Sequence, residues 1–383
     1  MDSPLFDAIR FSGDDIGSVQ GSSELHGGNT EASRGLLKEL KSSFARVTSN
    51  TFPSLFKSIK NVADNLGQSS WEAFVLPDSR YKSACYQIEH EGASKCVVIM
   101  SGSLVKEFSE GGLKFVIGHE FGHSILKHHG YPRPSKSNTP AHNAAILELL
   151  RSSEFSADRV GLMASKSLQD STNAIIQLAS GLPADHIGDS HADFLLQNDE
   201  GSNEKWQTSL EDSTHPTLPL RAINLDVFSK TSSFQEFAYG VNEGLTIAEC
   251  DERLYGEICK YRGGKLESLV GNSNFAELSS FWAVTALFSS GSRFSEKEQA
   301  WMSSRYGDRL MEGAKRFMRE YGKESTKKAM VRFVRCCPLI NDAKAIVKNT
   351  IENDIEEARQ FAGINPMLAE KVLNTCLNLL TRF

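Results

Sequence analysis

Nowhere does this 383-residue chain carry an uninterrupted apolar run of the roughly 20 residues that a membrane-spanning helix needs. Its most apolar late window, Phe275 to Leu287, is broken by Glu277 and several serines. Basic charge is also scarce: 42 Lys and Arg against 48 Asp and Glu give a net charge of -6, with no basic stripe to track phosphates. Nucleic acid is thereby excluded as an expected partner. The seven cysteines, at positions 85, 96, 250, 259, 336, 337 and 376, form no C-x-x-C pair. That argues against a disulfide framework and against a cysteine zinc site, and it fits free thiols in a reducing cytoplasm. The opening Met1-Asp2-Ser3-Pro4 has no apolar region behind it, so no secretory signal is expected. Residues 11 to 34 lack apolar periodicity and read as a flexible lead-in.

What is present is an ordinary globular composition, 40% apolar and 23% charged, on a chain longer than one hydrophobic core usually fills. Between Glu31 and Leu66 two amphipathic helical stretches flank Thr51-Phe52-Pro53, where the proline ends one and opens the next. Trp71 to Leu76, Ser83 to His90 and Lys95 to Met100 are short β-prone runs, the last two joined as a hairpin through Glu91-Gly92-Ala93. Helices are expected from about Glu110 to His129 and from about Ala141 to Leu178. Residues 183 to 214 form a long polar connection, and helices follow, including Ile247 to Tyr261, Glu296 to Tyr321 and Asp342 to Ala362. The expected division is a flexible segment over 1–30, a first domain over 31–235 and an all-α second domain over 236–383.

The chemistry concentrates at His119-Glu120-Phe121-Gly122-His123. In a helix, positions i and i+4 share a face one turn apart, so both imidazoles can aim at one Zn²⁺ while Glu120, displaced by one residue, reaches a water instead. Such a run also arises by chance on a solvated helix face, so context decides. Here Leu113 to Ile117 precede it, which predicts a buried helix, and Gly118 and Gly122 would let another element approach closely. A catalytic zinc site typically takes a third protein ligand. Glu154, in Glu154-Phe155-Ser156-Ala157-Asp158 among apolar neighbours, is the best candidate, and Asp158 one turn on would accept the second N–H of a ligand histidine. The bland alternative for that pair is an exposed acidic face with Arg151 and Arg159 as companions.

These runs, followed by Thr214-His215-Pro216 and Arg221, resemble the gluzincin zinc metallopeptidases that include the HtpX stress protease and the CAAX prenyl endopeptidase, with H-E-x-x-H, E-x-x-A-D and H-P-x-x-x-x-R in that order. The resemblance spans roughly residues 35 to 230. It implies a mainly helical α+β fold: a peptidase core with a small antiparallel sheet and an active-site helix, then the all-α domain. It implies one Zn²⁺ per chain on His119, His123 and Glu154, with Glu120 as base and acid. His215 and Arg221 would lie across the cleft, stabilising the oxyanion or holding the site together. A cleft-lining strand within Ser83 to His90 would pair with extended protein or peptide substrate, although Ser83-Ala84 replaces the N-A pair often found there.

The expected function is therefore a soluble cytoplasmic zinc metalloendopeptidase without an integral membrane segment. The C-terminal helices, a regulatory partner or self-inhibition by the 183–214 segment would gate it. A zinc-bearing binding or chaperone-like protein is the alternative, its site closed by His142 or His215. His128 and His129 are read as complementing the C-terminus of the motif helix. His142, His186 and His191 are read as solvated loop residues, and Cys336-Cys337 as plain thiols. Trp282 to Asp308, with a capping box from Ser295 to Glu298, weakly resembles the helical TerB-type module linked to tellurite resistance.

Overall fold

A computed structural model describes residues 4–11, 14, 30–90, 93–135, 140–189, 191–200, 213–261, 274–289, 293–335 and 341–381. The first part of the chain folds as α1 (Pro4–Ile9), α2 (Thr30–Ser43), β1 (Ala45–Arg46), α3 (Pro53–Leu66), β2 (Trp71–Leu76), β3 (Ser83–His90), β4 (Ala93–Ser101), α4 (Gly102–Glu107) and α5 (Glu110–Ile125). Then come α6 (Pro140–Ser165), α7 (Leu168–Ser180), α8 (Ala192–Glu200), α9 (Leu218–Ser229), α10 (Ser232–Tyr239) and α11 (Ile247–Tyr261). The last part is α12 (Asn274–Phe288), α13 (Glu296–Tyr306), α14 (Asp308–Arg335), α15 (Asn341–Ala362) and α16 (Pro366–Thr381). The fold is mainly helical α+β.

The four strands lie in the order β1-β2-β4-β3. The β3–β4 hairpin is antiparallel as expected, its turn residues 91 and 92 lying outside the described ones, but β2 and β4 run parallel. The sheet is therefore mixed rather than antiparallel. Composition supplies the reason: β4 buries Cys96, Val97, Val98 and Met100 and takes a central place, while the more polar β3 is left at the edge. Phe74, Ile88 and Val97 on one face pack under Leu37 and Leu40 of α2. Ala73, Cys96, Val98 and Met100 on the other join the main core with α3 and α5.

Three helical expectations shift at single residues. The long helix expected from Ala141 breaks after Ser165, because Lys166 adopts φ +56° and Ser167 starts α7 by accepting the Asp170 N–H. The expected Glu296–Tyr321 helix divides at Gly307, at φ +87°. The motif helix ends at Ile125, and Lys127 at φ +61° turns the chain into a short 3₁₀ turn, His128–Gly130. At Ser295 the expected capping box is present on both sides.

The lead-in is not a loose segment throughout. Phe6, Ile9, Phe11 and Asp14 are all buried, because three apolar side chains within six residues give this stretch a face to bury. The first core also reaches past residue 235: Cys250 lies in the main cluster, and Leu254 and Ile258 in a cluster with Phe11 and Phe155. A separate buried cluster is built by α12 to α16 around Phe281, Trp282, Met302, Met311 and Ile355, so these Phe and Met side chains serve packing. Within it Asp354 accepts from Arg305, Tyr306 and Ser280.

Candidate metal centre

Helix α5 is capped by Ser109, whose hydroxyl accepts the Gly112 N–H, and is buried along most of its length. Two helices can approach only as closely as their side chains allow. On α5, a Cβ at Gly118 would stand 2.4 Å from Ala164 Cβ, and one at Gly122 would stand 3.1 Å from Ala157 Cα. On α6, one at Gly161 would stand 2.8 Å from the Phe115 carbonyl oxygen. The close approach expected at Gly118 and Gly122 is therefore made by α6, the helix that carries Glu154 and Asp158. Helix α9 starts just after His215-Pro216, capped by Thr217, and brings Arg221 to the same place from its first turn.

The result is a convergent cluster. His119 Nε2 and His123 Nε2 are 3.1 Å apart, and each is 3.5 Å from an oxygen of Glu154. Among the described residues, these three form a group able to hold a metal ion. His119 Nδ1 lies 2.9 Å from Asp158 Oδ1, and Arg221 donates to both oxygens of that carboxylate, at 2.9 and 2.7 Å. Asp158 is fully buried, so the exposed acidic face considered above does not exist here. Burial opposes the Asp158 charge, yet Arg221 and His119 hold its carboxyl below the usual range. Burial likewise opposes a charged His119, but the Asp158 hydrogen bond raises it on balance, whereas burial, followed by the influence of His119 and the other basic groups around it, pushes His123 well below an ordinary histidine.

Glu120 is buried beside this cluster and accepts from Ser83 Oγ at 2.5 Å. Burial is the largest influence on it and raises its carboxyl, with the opposing pulls of His119 and Ser83 too small to cancel that. His215 is largely exposed, with Nε2 3.5 Å from Glu154 Oε1. The backbone leading to it is held by Arg151 of α6, which donates to the Ser213 carbonyl at 3.0 Å.

The donor set fits a cation. Asp158, an acceptor only, takes the Nδ1–H of His119, which in the neutral ring leaves a bare lone pair on Nε2. Lone pairs of that kind facing carboxylate oxygens repel unless a positive charge lies among them. Glu154 Oε2 is buried and takes no hydrogen bond, a cost that a metal would remove.

Three side chains that join this cluster carry no role in the sequence reading. Ser83 is one. His128 is another: it does not complement the helix end but is buried, with Nδ1 2.8 Å from His123 Nδ1. Asp14 is the third, 2.9 Å from His128 Nε2. The signal available was the apolar spacing of Phe6, Ile9 and Phe11, which marks an anchored segment. His129 instead lies 3.3 Å from the Cys85 thiol. His191 meets Asn173 and Gln169, His186 is exposed, and the side chain of His142 lies outside the described ones. Cys85, Cys96, Cys250 and Cys376 are free, and Cys336 and Cys337 also lie outside the described residues.

A helix bearing H-E-x-x-H, closed by a carboxylate from the next helix, defines the metallopeptidase class of site. Comparison with known families agrees: residues 49–133 match the model of peptidase family M48, which supports a metallopeptidase of the HtpX and CAAX-protease type acting on protein or peptide. The matched stretch runs from just before α3 through the 3₁₀ turn, and so includes His119 to His123 but not Glu154, His215 or Arg221. No curated protein and no solved structure matches the chain. Among the described residues no helix is long and apolar enough to cross a membrane.

Proposed function

We propose that this chain is a zinc-dependent metalloendopeptidase, with one Zn²⁺ held by His119, His123 and Glu154 and with Glu120 as general base and acid. The observation that carries this reading is the convergence of two imidazole Nε2 atoms on a buried carboxylate, one of whose oxygens takes no hydrogen bond, directly beside a second buried carboxylate. Zinc held there supplies Lewis acidity toward a scissile carbonyl and toward water. Glu120, its carboxyl raised by burial, takes a proton from the attacking water and returns it to the leaving amine. Ser83 Oγ fixes the Glu120 rotamer. Arg221 is committed to Asp158 by two hydrogen bonds and so holds the site together, which leaves the exposed His215 as the oxyanion donor. Edge strand β3 offers unpaired backbone to an extended substrate, next to Glu120 through Ser83.

We place the division between the peptidase unit and the C-terminal helices after Tyr261, since α10 and α11 bury residues in the first core, and assign substrate selection or gating to α12–α16. Glu120→Gln tests the mechanism: it should retain stoichiometric zinc and lose cleavage of an unstructured protein. Undiminished cleavage would refute the role of Glu120. One distance favours a second reading, a zinc-bearing binding protein: His215 Nε2 is close enough to Glu154 to join it as a fourth ligand. A site with no water-exchangeable position in the wild type, together with no cleavage, would select it.

A further inference from the structure

Behind His123, on the side away from Glu154, lies a row of buried polar side chains that peptide hydrolysis does not by itself require. His123 Nδ1 is 2.8 Å from His128 Nδ1, and His128 Nε2 is 2.9 Å from Asp14 Oδ2. Asp14, only 1% exposed, also accepts from the Tyr131 hydroxyl at 2.6 Å and has Arg10 at 3.7 Å. A carboxylate only accepts hydrogen bonds, so a neutral His128 carries its proton on Nε2 and presents a lone pair at Nδ1. His123 must then carry its proton on Nδ1, which leaves Nε2 bare toward His119 and Glu154. Asp158 does the same for His119 in one step. The two ligand histidines thus have separate carboxylates behind them, one reached directly and the other through a second imidazole.

Asp14 is held there by a segment tied to α6, the helix that bears Glu154. The Phe11 N–H donates to Ser156 Oγ at 3.0 Å, and Arg159 donates to the Ile9 carbonyl at 3.1 Å. The Phe11 ring meets Phe155 edge-on at 5.3 Å, and the Arg159 guanidinium lies 5.4 Å from its centroid. Arg10 reaches the other helix, donating to the Leu126 carbonyl at the end of α5.

We propose that residues 4–11 and Asp14 are a working part of the metal centre: a clasp across the α5–α6 pair whose Asp14, through His128, fixes the tautomer and orientation of His123 as a zinc ligand. Asp14 and His128 are positioning residues, and displacing the clasp weakens zinc binding without altering any ligand. This rests on the zinc reading of the site above.

The test is the zinc dissociation constant of the full-length chain, measured by competition with a chromophoric chelator and paired with thermal melting of the metal-free protein. Asp14→Ala and His128→Phe should each weaken zinc by about 10- to 100-fold, the range for partners behind a ligand histidine. The double variant should be no weaker than His128→Phe alone, because both act through one nitrogen. Asp14→Asn, whose amide oxygen still accepts from His128, should recover most of the affinity. Variants that melt earlier when metal-free yet bind zinc as tightly as the wild type would overturn the clasp, and so would additive losses in the double variant. If Asp14→Ala does not fold, His128→Phe, which leaves the anchors of the segment in place, decides alone. A wild type that takes up no zinc would overturn the metal reading itself, whereas a zinc-binding wild type with equally tight variants overturns the clasp only.

Discussion

Replacing Gly118 by alanine adds one methyl group at the tightest point of the α5–α6 contact. Alanine in a helix interior is favoured over glycine by about 0.8–1.0 kcal/mol, so on propensity alone the variant would be the more stable protein. The added carbon would stand 2.4 Å from Ala164 Cβ and 3.0 Å from Gly161 Cα, where carbon atoms ordinarily rest at roughly 3.5–4.0 Å. Neither neighbour is a flexible chain end, so α6 itself must move outward by about 1 Å. Overpacking of this kind costs about 1–3 kcal/mol, and an overlap this deep belongs at the upper end. The net expectation is a loss of about 2 kcal/mol, or a fall in melting temperature of roughly 4–8 °C for a unit of this size. Glu154 travels with α6, and metal–ligand distances tolerate only about 0.2 Å, so zinc affinity should fall as well. Scanning calorimetry of the metal-free protein and chelator competition check both effects. Gly122→Ala is the internal comparison: its closest neighbours would lie at 3.1 Å, so propensity and crowding should nearly cancel. A Gly118→Ala protein that melts higher than the wild type with unchanged zinc affinity would refute the close-packing explanation of how Glu154 reaches the histidines.

Arg221→Met should destabilise by about 3–5 kcal/mol, because it takes from the buried Asp158 carboxylate its cationic partner and two of its hydrogen bonds; the urea midpoint reports it, and a change of under 1 kcal/mol would contradict the pairing. Arg159→Met should cost a similar amount by removing the guanidinium that meets the buried Asp251 at 2.7 Å, and because Arg159 also holds the Ile9 carbonyl of the clasp, zinc affinity should fall with stability; unchanged zinc affinity would show that Arg159 is dispensable for the clasp. His129 is lowered to about 4, chiefly by burial and then by His128 and Arg133. Its folded pKa lies below its unfolded value near 6.5, so the unfolded chain binds the extra proton first and stability drains away as pH falls from about 6.5 to 4. In EDTA, His129→Gln should flatten melting temperature against pH over that window, and an unchanged slope would dismiss the contribution.

Much of the centre was legible because its parts are local. His119, Glu120 and His123 depend only on helical spacing, and so does the division of Glu154 from Asp158 one turn apart; Gly118 and Gly122 announced a close neighbour before it could be named. Most helices, the three main strands and the β3–β4 hairpin follow likewise from short-range periodicity and from Pro53 and Ser295 as punctuation. What remained hidden depends on partners far apart in the chain or on one unusual backbone angle. Asp14 lies 114 residues from His128, in a stretch whose glycines, serines and acids outweigh three apolar side chains in any composition reading. His128 turns back beneath His123 only because Lys127 takes a left-handed conformation, and Lys166 divides α6 from α7 in the same way. The parallel pairing of β2 with β4 was settled by which strand had most apolar surface to bury on both faces, a competition among strands that no single strand's pattern expresses. The sequence alone thus determined which side chains of α5 and α6 form the candidate metal group, since helical geometry is a property of neighbours. Only the tertiary structure decided what stands behind them, because the carboxylate behind each histidine, Asp158 directly behind His119 and Asp14 behind His123 through His128, comes from a distant part of the chain.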